Sequence, residues 1–183
     1  GKFYKDGHPL NGVDTIEIKF MTAKDEDILT SKSLLKKGLA INRFMQNIIV
    51  DKRVKVEDML VGDKNAVLVA ARITGYGEEY KTKTQCPACQ TTQDYEFTLA
   101  GGQVTGYHTE HYNAEDWDNR VKMNEDGTFD ITLPKSSVTV TCRVIDGHDE
   151  QRLAASMNKK TKNDIRGHET GLTDQFRSYI IGV

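Results

Sequence analysis

The spacing of the apolar residues changes at about Tyr80, and that change limits the folds open to the chain. Before it, Leu34, Leu35, Leu39, Ile41, Phe44, Met45, Ile48 and Ile49 recur at three and four residues and trace one helical stripe. After it, Tyr95, Phe97 and Leu99, then Phe129, Ile131 and Leu133, then Val138, Val140, Cys142 and Val144 alternate with polar residues, as strands covered on one face do. Helices segregated from hairpin-linked strands define an α+β protein. The expected order is a helical N-terminal half with one strand over 1–78, a central antiparallel β-rich subdomain over 79–146 and C-terminal helices over 147–183, forming one compact unit.

The one early strand is expected over Val13–Met21, where Ile16, Ile18 and Phe20 fall on one side. Thr22-Ala-Lys-Asp25 then carries a helix-start signal, a hydroxyl followed three residues later by an acid, opening a short acidic helix through Leu29. Gly38 marks a break, and a helix follows from about Leu39. Asp63–Ile73 is apolar all round and reads as a buried helix, stopped by Gly75 and Gly77. Strands at Tyr80–Thr84 and Asp94–Leu99 flank Cys86-Pro-Ala-Cys89 and put the cysteines at a hairpin tip. Gly101–Asn119 lacks periodicity and reads as a loop, and Asp126-Gly127 is a turn between strands. A helix is expected over Asp149–Asn158, then a cationic connector from Lys159 to Asp164, then a last helix from Thr173.

Charge narrows the function classes. With 25 Lys and Arg against 27 Asp and Glu, the chain lacks the basic footprint of a dedicated nucleic-acid or anionic-membrane binder. The mean hydropathy of −0.57 and the short apolar window Ala66–Ala71 fall far below what a membrane span of roughly 20 residues needs. A soluble protein is expected. Gly1-Lys-Phe-Tyr-Lys-Asp6 has no apolar core of the secretory kind, which suggests synthesis in the cytosol. The missing initiator Met and the apolar run Tyr179–Val183 lead to the expectation that the native chain extends beyond both ends.

Three cysteines, two of them three residues apart, suit a reducing compartment and a metal or redox pair better than a disulfide framework. Two thiolates on a tight knuckle can both reach one tetrahedral zinc at about 2.3 Å. His108 and His111, with 18 residues between Cys89 and His108, could complete the set, although that spacing fits no standard finger and two surface histidines are the plainer reading. A knuckle kept as a tight turn without metal stays open. Thioredoxin-like chemistry needs a following helix, and Gln90–Tyr95 reads as extended instead. Cys142 shares its face with three valines and reads as a core residue in preference to a ligand. Trp117, in an acidic loop, is a candidate interface anchor. The chain carries no nucleophile elbow, phosphate loop or dinucleotide fingerprint. The acids at Asp25-Glu-Asp27 and Glu115-Asp-Trp-Asp118 have ordinary roles at a helix start and in a surface loop.

In order, Met21-Thr-Ala-Lys-Asp-Glu-Asp-Ile-Leu-Thr-Ser31, Leu34-Leu-Lys-Lys-Gly38, Leu60-Val-Gly-Asp63, Ala71-Arg-Ile-Thr-Gly-Tyr-Gly77 and the Cys86/Cys89 knuckle resemble the baseplate hub proteins of T-even-type contractile-tailed bacteriophages. Leu133-Pro134, Val144-Ile-Asp-Gly-His-Asp-Glu150 and Thr173-Asp-Gln-Phe176 continue the likeness. The resemblance implies a non-enzymatic virion component or hub assembly factor, made in the host cytoplasm. It implies contacts with other hub, wedge and tail-tube proteins, without nucleic acid or membrane. Copies would surround the tail axis, and such ring-closing contacts suit a trimer or a hexamer. Phe176, Tyr179 and Ile180, on one face of the last helix, form a candidate docking element that could equally bury within its own subunit.

Two other functions compete. Lys81 and Lys83 near Tyr95 and Phe97 could make a zinc-ribbon module that binds nucleic acid or a transcription partner, since single-strand binders combine a basic groove with aromatic platforms. A metallohydrolase built from His108, His111 and the acids at Glu115 is the weaker reading.

Overall fold

Capping decides where the first helices begin. The computed structural model describes residues 1, 3–100, 120–163 and 171–183. In it Thr22 precedes α1 (Ala23–Thr30), and the Asp25 carboxylate accepts from the Thr22 N–H at 2.9 Å and from its hydroxyl at 2.6 Å. The Thr22 hydroxyl thus donates to the acid that reaches back. α2 (Lys32–Lys36) ends at Gly38, whose φ of +67° lets the Gly38 and Leu39 N–H groups close on Leu35 and Leu34. α3 (Ala40–Ile48) then buries Ala40, Phe44, Met45 and Ile48 on a single stripe.

The chain divides into two compact units. One comprises Glu17–Val50 and Asn65–Thr105. It holds α1 to α3, most of α4 (Val61–Tyr76), and the strands β1 (Glu79–Gln85) and β2 (Thr92–Thr98), which pair antiparallel with Tyr80 opposite Phe97 and Thr82 opposite Tyr95. The expected strand over Val13–Met21 does not form. Ile18 makes a single antiparallel bridge to Ile49, supported by Lys19 N–H to Ile48 O and Val50 N–H to Glu17 O. The partner segment is only the few residues leaving α3, so no ladder propagates, and Phe20 is left 77% exposed. α4 also differs from expectation. Only Val67 and Ala71 among its apolar residues are buried, while Val69 is exposed, so apolar composition did not translate into full burial. Gly75 lies inside this helix and the stop falls at Gly77, whose φ is +81°.

The other unit comprises Gly1–Ile16, Asp51–Lys64 and Gly106–Val183. Its strands β3 (Val121–Met123), β4 (Phe129–Thr132), β5 (Thr139–Cys142) and β6 (Ile180–Gly182) form an antiparallel sheet in that order. Asp126-Gly127 turns the chain between β3 and β4, with Gly127 at a φ of +79° and the Asp126 carboxylate accepting from both polar groups of Thr128. Tyr4, Leu10, Val54, Val56, Met59 and Val140 are buried here. Tyr4 Oη donates to Asp63 at 2.7 Å and accepts from the Leu60 N–H at 3.0 Å.

Two helices complete this unit. α5 (Gly147–Asn163) starts two residues earlier than expected and runs through the lysine-rich stretch expected as a connector. Lysine is a good helix former, and cations suit a helix C-terminus. α6 (Gly171–Tyr179) stops before Ile180. Ile180 is therefore a strand residue, paired with Cys142, and not part of a helical face. The two extended residues beside it close a sheet edge whose backbone groups would otherwise go unpaired. The protein is thus of mixed α and β class, with helices in the N-terminal half, antiparallel strands in the middle and towards the C-terminus, and helices at the end.

Candidate protein interaction surface

The β1–β2 ribbon has two chemically different faces, because its register assigns alternate residues to opposite sides. Lys81 pairs with Glu96 at 3.3 Å and Lys83 with Asp94 at 3.9 Å on one face. Tyr80, Phe97 and Tyr95 lie on the other, with ring centroids 5.3 Å apart for Tyr80 and Phe97 and 5.7 Å apart for Tyr95 and Phe97. Every residue of β2, and every residue of β1 except Thr82, is exposed. Three aromatic rings in contact with one another and open to solvent make an apolar patch of the kind found at protein interfaces.

The root and tip of the ribbon are tied locally. Arg72 donates to the carbonyls of Gly77 at 2.9 Å and Glu79 at 3.2 Å, and its guanidinium stacks over Tyr76 and Tyr80 at 5.0 and 5.6 Å from the ring centres. The Leu99 N–H donates to Glu78 O across the base. At the far end, Cys86 and Cys89 occupy the turn, as the spacing predicts. Hydrogen bonding with the Thr91 side chain and backbone, and then with Cys86, holds the Cys89 thiol below its ordinary value.

The geometry separates residues that the sequence placed together. Lys81 and Lys83 face away from Tyr95 and Phe97 and are ion-paired, so the ribbon does not combine free cations with stacking platforms on one surface. His108, His111, Glu115 and Trp117 lie outside the described residues. Among the described residues no group of three His, Cys, Asp or Glu is placed to hold a metal ion. Cys142 is half-buried in β5, and burial pushes its thiol up. Phe176 is 50% exposed and meets Tyr179 edge to face at 6.3 Å, while the Tyr179 carbonyl accepts from the Arg143 N–H at 2.8 Å. Phe176 thus remains an open aromatic, whereas the backbone of Tyr179 and Ile180 is committed to the fold.

One cluster lies outside the residues that sequence patterns single out. Asp149 is buried and accepts from Arg143 at 2.6 Å, from Arg152, and from the Asp146 N–H at 3.2 Å, while its own N–H donates to Asp146 Oδ1 at 3.0 Å. Burial alone would push its carboxyl up, but the Arg143 guanidinium and the remaining donors outweigh that and hold it at about 2. Asp146 and Asp149 form a reciprocal cap at the start of α5, and the D-x-x-D spacing was the available signal. The cluster is satisfied within its own unit and locks α5 in place.

Among the described residues, the ribbon thus carries three grouped aromatics on a solvent-exposed face. The family model described as T4 bacteriophage base plate protein matches residues 5–131. The chain belongs to that family, and is a structural component of a phage tail baseplate. No curated protein and no solved structure matches it. Membership places it in the virion tail among other baseplate and tail proteins and points to a non-enzymatic role. Among the described residues, no helix is long and apolar enough to cross a membrane.

Proposed function

We propose that the chain is a subunit of the central baseplate hub of a contractile tail, joined to neighbouring hub, wedge or tube proteins by the aromatic face of its β1–β2 ribbon. The observation that supports this reading is the open cluster of Tyr80, Tyr95 and Phe97 on strands otherwise exposed. Aromatic residues that are rigid and already grouped bury much area with little loss of side-chain entropy, which makes them efficient anchors. Copies repeat about the tail axis as a trimer or hexamer, each presenting its ribbon to the same neighbour.

The test is co-purification of the chain with its phage's hub proteins after co-expression, comparing Tyr95→Ser/Phe97→Ser with Lys81→Ser/Lys83→Ser. The aromatic pair is expected to lower recovery of the complex at least tenfold while circular dichroism stays native, and the lysine pair to leave recovery within about twofold, since exposed ion pairs contribute little. Full recovery with the aromatic variant would overturn the reading. Quantitative mass spectrometry of purified virions is expected to find three or six copies per tail. Absence from the particle would instead make the chain an assembly factor.

A further inference from the structure

The tip of the same ribbon carries an independent signal. Cys86 N–H donates to Thr91 O at 3.0 Å and Gln90 N–H to Cys86 O at 2.8 Å, which folds Cys86-Pro-Ala-Cys89 into a tight knuckle. The residue after the second cysteine, Gln90, sits at a φ of +58°. A non-glycine residue there costs roughly 1–2 kcal/mol, and such strain persists where the surroundings hold it for a purpose. The Gln85 side chain holds it by donating to Gln90 O at 3.0 Å. This bracing holds both cysteines in one tight turn, and no disulfide joins them. Cys89 Sγ also lies 3.3 Å from Thr91 Oγ1, which gives it an outer partner of the kind that orients a metal-bound thiolate.

We propose that Cys86 and Cys89 are a two-thiolate binding site for zinc. Thiolates select soft and borderline cations, and zinc is the one that leaves a cysteine pair chemically unchanged in a reducing compartment. Cys89 is exposed and Cys86 half-exposed, so the ion keeps two outward positions, filled by water in the isolated chain and open to a side chain of a baseplate neighbour. Binding releases the thiol protons and ties the two strand ends together, so the metal supports a ribbon that few packed side chains hold. This proposal stands apart from aromatic docking and does not need it.

The experiment uses the reduced full chain titrated with Co(II) as a spectroscopic stand-in, followed by competition with Zn(II). A sulfur-to-cobalt charge-transfer band is expected, saturating with metal and reversed by zinc. Cys86→Ser or Cys89→Ser is expected to weaken binding at least tenfold, and Cys142→Ser to leave it unchanged. Zinc is further expected to slow amide exchange across residues 79–98 in the parent chain and not in the Cys86→Ser/Cys89→Ser variant. No charge-transfer band at tenfold excess Co(II), or a band retained in the double variant, overturns the proposal. Unchanged exchange in the presence of bound zinc overturns the stabilising role assigned to it.

Discussion

Replacing Asp149 by Asn tests the account of how α5 is fixed, because the change keeps the side chain's shape and removes only its charge. Asp149 is fully shielded, while the side chains of Arg143 and Arg152 are 30% and 73% exposed. Breaking a buried ion pair ordinarily costs about 3–5 kcal/mol, mostly from the charge left behind. Here the cations left behind can regain water, so the lower end applies. The lowered carboxyl pKa supplies a second route to the magnitude. A fall from the ordinary aspartate value of 3.8 to about 2 corresponds to about 2 kcal/mol of preference for the charged form in the folded state. Both routes give about 2–3 kcal/mol, or roughly a 30- to 150-fold change in the unfolding equilibrium. Because the folded carboxyl lies below its unfolded value, this stability is fully present above pH about 4 and disappears as pH falls through about 2. Urea unfolding followed by circular dichroism at pH 7, 4 and 3 is therefore expected to show the gap between parent and variant narrowing as pH falls. A gap under about 1 kcal/mol at pH 7, or one that does not change with pH, would refute the reasoning.

Two further substitutions probe the same unit. A Cβ on Gly147 would sit 2.8 Å from Glu57 O and 3.1 Å from Val56 O, and backbone atoms cannot move aside cheaply. Gly147→Ala is expected to cost about 1–3 kcal/mol and to lower Tm in a thermal scan, and an unchanged Tm would contradict the close approach. Tyr4→Phe leaves the Leu60 N–H and the Asp63 carboxylate without their shared partner, for an expected loss of about 1–3 kcal/mol in urea. Burial is the main cause that raises the Tyr4 hydroxyl above its ordinary value, so this advantage holds below pH about 10 and fades above it. An advantage that persisted unchanged at higher pH would argue against the buried hydroxyl.

Local signals were legible where a single segment decides its own structure. Thr22 with Asp25 set the start of α1, Gly38 the break before α3, Asp126-Gly127 the turn into β4, and the flanking alternation put Cys86 and Cys89 at a hairpin tip. Failures came where structure depends on a partner distant in sequence. Ile16, Ile18 and Phe20 have the alternation of a strand, yet only the exit of α3 is there to pair with, and one bridge is all that forms. Ile180 continues the apolar face of a helix by spacing, but β5 presents a free edge and the chain leaves α6 to meet it. Asp149 reads locally as an acid in a first helical turn, and its burial follows only once Arg143 and Arg152 converge on it. The aromatic patch was half visible, since Tyr95 and Phe97 share a phase, but the cross-strand register was needed to add Tyr80 and to send Lys81 and Lys83 to the other side.

If the ribbon docks as proposed, its two faces tie its cohesion to its assembly. Exposed pairs such as Lys81 with Glu96 contribute about 0–1 kcal/mol each, so the charged face holds the strands only weakly. The aromatic face gains more from ring contacts but leaves Tyr95 53% and Phe97 40% exposed, and so realises only part of the burial available to it. A two-stranded ribbon with that balance is marginal by itself, and beyond its ladder it is tied at its root by Arg72 and at its tip by the hydrogen bonds of the cysteine knuckle. Contact with a neighbour would complete the burial and set the strands at once, so docking and ordering reinforce each other. Anchoring both ends beforehand limits the entropy that docking must overcome. On this argument, loosening either end weakens assembly even when every residue of the aromatic face is intact.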